Sequence, residues 1–253
     1  MPRLSLLALF GLAYTVLLEA MLAAAILFWP EFAANLASFR SMTSAIPIAG
    51  EMMQKIEQEG FTAYVLGQHF FKGCNALGTA AAVLFAAPAV AGEAQRGTLE
   101  MWLALPFSRT RLLLERWLAG ALALVVPVFL CTLTIPLLGA RVDEYEPYAP
   151  YLACAAQQSL FLLAIYALTF LCSCLGSNPN KIALLVLFVA VFQFALYMVK
   201  TLTHASLFRL CDMDVLLAIA LDGRWSAPIV LGLATFVVAT LGGSLVAFRR
   251  RCP

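Results

Sequence analysis

Residues 182–200 read IALLVLFVAVFQFALYMVK, with one glutamine and a single terminal charge. A stretch of this kind has no polar face to turn to water, and it is close to the ~20 residues that cross a bilayer as a helix. In lipid, backbone amides and carbonyls find no solvent partner, so only helices and closed barrels satisfy them. The run is continuous and does not alternate in polarity, which selects the helix. Any fold for this chain must accommodate that one segment.

Five further segments qualify as crossings: roughly 5–29, 69–91, 115–138, 151–174 and 227–248. The second, HFFKGCNALGTAAAVLFAAPAVAG, is the least hydrophobic and is rich in Gly and Ala. Small residues let helix backbones approach closely in lipid, so it reads as an inner, well-packed span. The composition agrees: 63% of the 253 residues are hydrophobic and 12% charged, too little polar surface for a soluble helical protein with a large core. Arg3 followed by an apolar run has the look of a signal peptide. That run is about twice a usual h-region and ends at Trp29-Pro30 without a small-residue cleavage site, so a retained first span is expected. The expectation is an all-α membrane protein, a six-span bundle forming one transmembrane domain over 1–253, with outer loops at 31–67 and 201–226.

Orientation follows from Lys and Arg near the span ends. Arg3, Arg96, Arg109, Arg111, Arg116, Lys181, Arg249, Arg250 and Arg251 fall on one side. The acidic residues gather on the other, in loops containing Glu51, Glu57, Glu59, Asp143, Glu144, Glu146, Asp212 and Asp214. Both termini and segment 92–114 are therefore expected in the cytoplasm, with the protein integral to a bacterial cytoplasmic (inner) membrane. Loop 31–67 has apolar positions at helical spacing. The stretch 203–224 is too short to span and reads as a short outer helix, either re-entrant or lying on the surface.

Seven cysteines, an odd number scattered through apolar stretches, do not form a disulfide framework. Cys172 and Cys174 flank one serine, short of a C-x2-C spacing, and read as packing residues. His69 and His204 are expected near the outer face as interfacial residues; no H-E-x-x-H is present, and no metal site is expected. Glu19 is the one acidic residue inside a span. It reads either as a pathway or proton-linked group, or as a carboxyl hydrogen-bonded to a neighbouring helix. Gln157, Gln158 and Gln193 read as helix-to-helix glue.

Between the second and third spans lies GEAQRGTLEMWLALPFSR, residues 92–109. Glu93 and Arg96 stand three apart, within pairing distance on a helix. Gly97 allows a change of direction, Thr98 is placed to cap a short helix to Leu105, and Pro106 stops it. Ser108 is placed to cap the next helix, on which Arg111 and Glu115 sit at i,i+4. The short helix would present Leu99, Met101, Trp102, Leu103 and Leu105, too apolar for water. It needs the membrane interface, with Trp102 as a belt residue, or a groove on another protein.

This stretch resembles the signature of the ABC type 2 permeases, membrane subunits of ATP-driven exporters. Glu93 precedes Gly97-Thr98-Leu99-Glu100, and Pro106-Phe107-Ser108-Arg109 leads into the basic helix TRLLLERWLAG. The resemblance implies a cytoplasmic coupling helix between spans 2 and 3 that docks on a separate ATPase subunit. Glu93, Arg96, Gly97, Thr98, Leu99, Glu100, Trp102, Pro106, Ser108 and Arg109 would form or shape that contact. It further implies that two copies, or this chain and a related permease, enclose the pathway among membrane lipids. Two departures are visible: only MPR precedes the first span, where the family usually has an amphipathic helix, and loop 31–67 is long.

No lysine here follows a glycine, so the P-loop pattern is absent. The chain is expected to be no enzyme and to bind no cofactor, ATP and Mg residing on the partner ATPase. No nucleic-acid partner is expected. Spans with aromatic and glycine residues and few charges point to an amphipathic or lipid-like cargo. The competing readings are a non-transporting membrane scaffold or assembly subunit, and an intramembrane enzyme.

Overall fold

The computed structural model describes residues 2–43, 47–99, 101 and 108–250, with side chains described from Leu6 onward. Among these the long apolar runs form helices: α1 (Pro2–Ala34), α6 (Arg109–Gly139), α7 (Tyr148–Leu175), α8 (Pro179–Met198) and α10 (Ala227–Arg250). These five are long and apolar enough to cross a membrane. Shorter elements complete the chain: α2 (Leu36–Thr43), α3 (Pro47–Val65), α4 (Thr79–Ala86), α5 (Ala91–Gln95) and α9 (Met213–Asp222). No strand occurs among the described residues.

The segment expected as the second span, 69–91, is not one regular helix. Gly60, at φ 61°, breaks α3. The chain then runs as a π-helix over Leu66–Gly78 and continues directly into α4. A turn at 87–90 precedes α5, and it holds Pro88, which has no amide to continue the helical ladder. Gly67, Gly73 and Gly78 along the tract let neighbouring side chains come close, down to 2.7 Å from Leu162 Cδ1 to a Cβ built at Gly78.

α7 is the central helix. Of its most apolar window 61% is buried, against 17% for α8 and for α10. It packs against α10, α6 and α4. The outward sides of α1, α8 and α10 stay apolar and exposed, as at Leu12, Phe188 and Val238, the surface that lipid requires.

Polar groups inside the bundle tie helices together. Gln158 Nε2 donates to Asn75 Oδ1 at 2.8 Å, and its Oε1 accepts from Cys211 Sγ at 2.8 Å. Gln157 Nε2 donates to the Leu210 carbonyl at 3.0 Å. Gln193 Oε1 accepts from the Leu207 amide at 3.0 Å, and its carbonyl accepts from Ser206 Oγ at 2.7 Å. The chain after α8 thus folds back along α8 in short 3₁₀ turns before Asp212 caps α9 through the Val215 amide. At the same end Trp29, Phe32, Phe39, Phe61 and Tyr64 form a ring cluster. Trp29 Nε1 donates to Glu144 Oε1 at 2.8 Å.

The two ends of the bundle differ in charge. The end at which α6 starts and α10 finishes, here termed basal, holds Arg109, Arg111, Arg116, Arg249 and Arg250. At the opposite, distal end, acidic residues meet bases in ion pairs such as Lys55–Asp214 at 2.6 Å and Lys200–Glu51 at 2.5 Å.

Gly120 on α6 leaves the least room of the glycines. A Cβ there would run into the Tyr166 hydroxyl oxygen and lie 2.9 Å from its Cζ, and Tyr166 is fully buried with its hydroxyl donating to the Trp117 carbonyl at 3.0 Å. Gly120→Ala is expected to cost about 1–3 kcal/mol through overpacking. Gly232→Ala, with nothing within 4 Å, is expected to be neutral. Thermal unfolding of the two variants in detergent checks this; equal midpoints would show that the helices separate freely at Gly120.

Candidate functional site

The basal connection between the 66–86 tract and α6 begins with a pinned turn. Ser173, near the end of α7, accepts from the Val90 and Ala91 amides, both at 3.0 Å, and donates to the Ala87 carbonyl at 2.7 Å. The first amides of a helix lack intrahelical partners, so one hydroxyl here both starts α5 and fixes it to the central helix.

Glu93 sits on α5 and is 1% exposed. Arg116 of α6 reaches it at 3.3 Å and also donates to the Ala89 carbonyl at 3.3 Å. Thr98 closes the arrangement: its hydroxyl donates to the Glu93 carboxylate and its amide to the Glu93 carbonyl at 3.1 Å. Gly97, at φ +69°, makes the reversal in the left-handed region that favours glycine. The i,i+3 pairing expected between Glu93 and Arg96 is replaced. Arg96 Nε donates to the Gly92 carbonyl at 2.9 Å, and the carboxylate turns inward to a base 23 residues further on. A buried carboxylate needs a buried partner, and the outward-facing Arg96 does not supply one.

At the start of α6, Ser108 Oγ accepts from the Arg111 amide at 3.2 Å and caps the helix as its position suggests. Arg111 and Glu115 pair at 2.7 Å, also as spacing suggests. Arg109 donates to the Arg249 carbonyl at 3.1 Å, while Arg249 donates to Thr110 Oγ1 at 3.0 Å. These two bonds join the start of α6 to the end of α10.

Of the residues expected to form the coupling contact, Glu93, Arg96, Gly97, Thr98, Leu99, Ser108 and Arg109 are thus placed at one end of the bundle. Glu100, Trp102 and Pro106 lie outside the described residues. Leu99, expected on the presented face, is 6% exposed and belongs to the core, whereas Met101 is 71% exposed. Sequence reasoning missed Arg116 and Ser173. Arg116 stood out only as one more positive charge, and Ser173 between two cysteines carried no signal.

The other candidate residues are scattered. Glu19 is half-buried on α1 and accepts from Thr134 Oγ1 of α6 at 3.1 Å. His69 is not interfacial: it is 1% exposed, with Nε2 3.4 Å from Thr132 Oγ1. The tract that carries it packs against α1, α3 and α7, with His69 on its inward side. His204 is exposed in a 3₁₀ turn. Among the described residues no three His, Cys, Asp or Glu side chains gather as a metal site, and the described cysteines are free thiols.

Removing Arg116 leaves the Glu93 carboxylate buried with less compensation. Arg116→Met is expected to cost about 2–4 kcal/mol, and the double variant Glu93→Gln, Arg116→Met to recover at least half of that. Ser173→Ala, which strips two amides of their acceptor, is expected to cost about 2 kcal/mol. Unfolding of the purified chain in detergent, with Glu93→Gln alone to complete the cycle, gives these values; additive costs for Glu93 and Arg116 would dissolve the pair.

A family profile described as ABC-2 family transporter protein matches residues 4–209. No curated protein matches the chain. The profile spans most of the molecule and includes the whole basal connection; the chain belongs to the ABC-2 transporter family.

Proposed function

We propose that this chain is the permease subunit of an ATP-binding cassette exporter. It forms the transmembrane pathway and couples through residues 93–109 to a separate ATPase subunit. In this reading the 66–86 tract with its turn is a sixth crossing, both termini and the basal end are cytoplasmic in an inner membrane, and a second permease copy or a related permease completes the pathway. ATP and Mg belong to the ATPase.

The observation that carries the reading is the Glu93–Arg116–Thr98 clasp together with the Ser173 pin. A segment pushed from outside transmits a displacement only when its root is stiff. Here the root is tied to α6 by an ion pair and to α7 by three hydrogen bonds. Closure of two ATPase subunits on ATP would move the 98–107 segment, and the clasp would pass that movement to both helices. Exposed Met101 supports an outward contact, while Leu99 would shape the segment from beneath. Glu19 would contribute its carboxyl to the pathway, held by Thr134.

The purified chain is expected to co-isolate with an ATPase, and Glu100→Ala, Arg109→Ala and Met101→Asp each to weaken that association about tenfold or more. Arg249→Ala removes the companion α6–α10 bond, from its guanidinium to Thr110 Oγ1, without touching the docking segment, and should leave association intact. If the first three variants bind and transport like the unaltered chain, the docking assignment is wrong. Glu19→Gln keeps an acceptor for Thr134 and should alter transport without altering expression; unchanged transport removes Glu19 from the pathway. Side-specific labelling of a cysteine at position 109 in intact cells gives the orientation, and reaction from the exterior would overturn it.

A further inference from the structure

Between the 66–86 tract and α8 runs a groove of about 400 Å³, within the range of small-molecule sites, roughly 300–1,000 Å³. Lys72, Asn75 and Thr79 stand at helical spacing on one wall, with Leu187, Ala190 and Phe194 facing them. Aromatic rings close around it, Phe208 meeting Phe194 edge to face at 5.4 Å and Phe71 meeting it at 6.2 Å.

Two features separate this groove from an ordinary lipid-facing crevice. Among the described residues its lining carries one charge, the ammonium of Lys72, and no carboxylate. Lys72 is held by Gln68 Oε1 at 3.1 Å, a neutral acceptor that orients the cation without neutralising it. The second feature is polarity within the wall. Asn75 and Thr79 are 2% and 5% exposed, yet Asn75 Nδ2 and Thr79 Oγ1 have no hydrogen-bond partner among the described residues. Gln158 fixes the Asn75 amide by donating to its Oδ1, which leaves Nδ2 as a spare donor. Burying such groups without partners is costly, and a ligand with polar atoms near its head would satisfy them.

A small soluble anion accounts for Lys72 but not for the apolar walls, and a neutral hydrocarbon accounts for the walls alone. We propose that the groove binds an amphiphile with one apolar chain and an anionic head. The head lies at Lys72 toward the distal end, and the chain runs along Leu187 and Ala190 toward the middle of the bundle. Given the permease reading, on which this step rests, that amphiphile is the cargo and it enters sideways from the bilayer.

The test uses the full chain in nanodiscs of neutral lipid with a photoactivatable oleate analogue, and the matching oleylamine analogue as the charge control. The oleate probe is expected to label the 66–86 tract and α8, with unlabelled oleate competing. Lys72→Gln should reduce labelling about tenfold, the loss of one charge-assisted hydrogen bond. Lys72→Arg should retain it, and Ala190→Phe should fill the groove and abolish it. Lys200→Gln, a cation at the same end outside the groove, should label normally. Equal labelling by the amine probe, or no effect of Lys72→Gln and Ala190→Phe, overturns the site. Oleate-stimulated ATP hydrolysis by the chain with its co-isolated ATPase, lost in Lys72→Gln, supports the cargo assignment. Labelling without stimulation identifies a resident bilayer lipid and overturns that assignment. Labelling does not require the ATPase, so lost co-isolation with normal labelling counts against the permease reading alone.

Discussion

A polar group at membrane depth must find its partner inside the protein, and most of the tertiary organisation follows from that. α7 carries Gln157, Gln158 and Ser173, and each binds a different neighbour: the fold-back after α8, the 66–86 tract, and the basal turn. Hydrophobic burial contributes little to helix association in lipid, because lipid tails are as apolar as leucine. Close packing at glycines and a small number of interhelical hydrogen bonds therefore decide which helices meet and at what height. Gly120 against Tyr166 and Gly78 against Leu162 are the packing half of that arrangement.

The same constraint separates the ends of the molecule in character. At the distal end, paired charges and a ring cluster around Trp29 form a cap outside the apolar zone. At the basal end, one acidic residue is drawn inward and one hydroxyl is fully used by the backbone. The distal ties are spread over several elements, whereas those around Glu93 and Ser173 converge on a single short segment.

Local rules read some of the site correctly. The Ser108 cap and the Arg111–Glu115 pair follow from positions three and four residues apart, within the reach of a single helix. The same reasoning misplaced Glu93, since its partner lies on another helix and burial, not spacing, selects it. Leu99 looked like a presented residue because hydrophobicity alone does not say whether a side chain faces a partner or its own core. His69 reads as interfacial because its segment starts near a span end, yet it lies on the inward side of a tract packed against three other elements. The irregularity of the 66–86 tract was likewise hidden, since glycine and alanine are compatible with close packing in either helical form.

By itself the sequence determined that the chain is helical and membrane-embedded, where five long helices run, and which connection holds the family's motif. These are consequences of backbone solvation, of apolar length and of residues adjacent in the chain. Only the tertiary structure decided that Arg116 and Ser173 hold that connection, and that Lys72, Asn75 and Thr79 line a groove against α8. Those relations join residues tens of positions apart, and helix rotation and height within the bundle, which no local pattern encodes, bring them together.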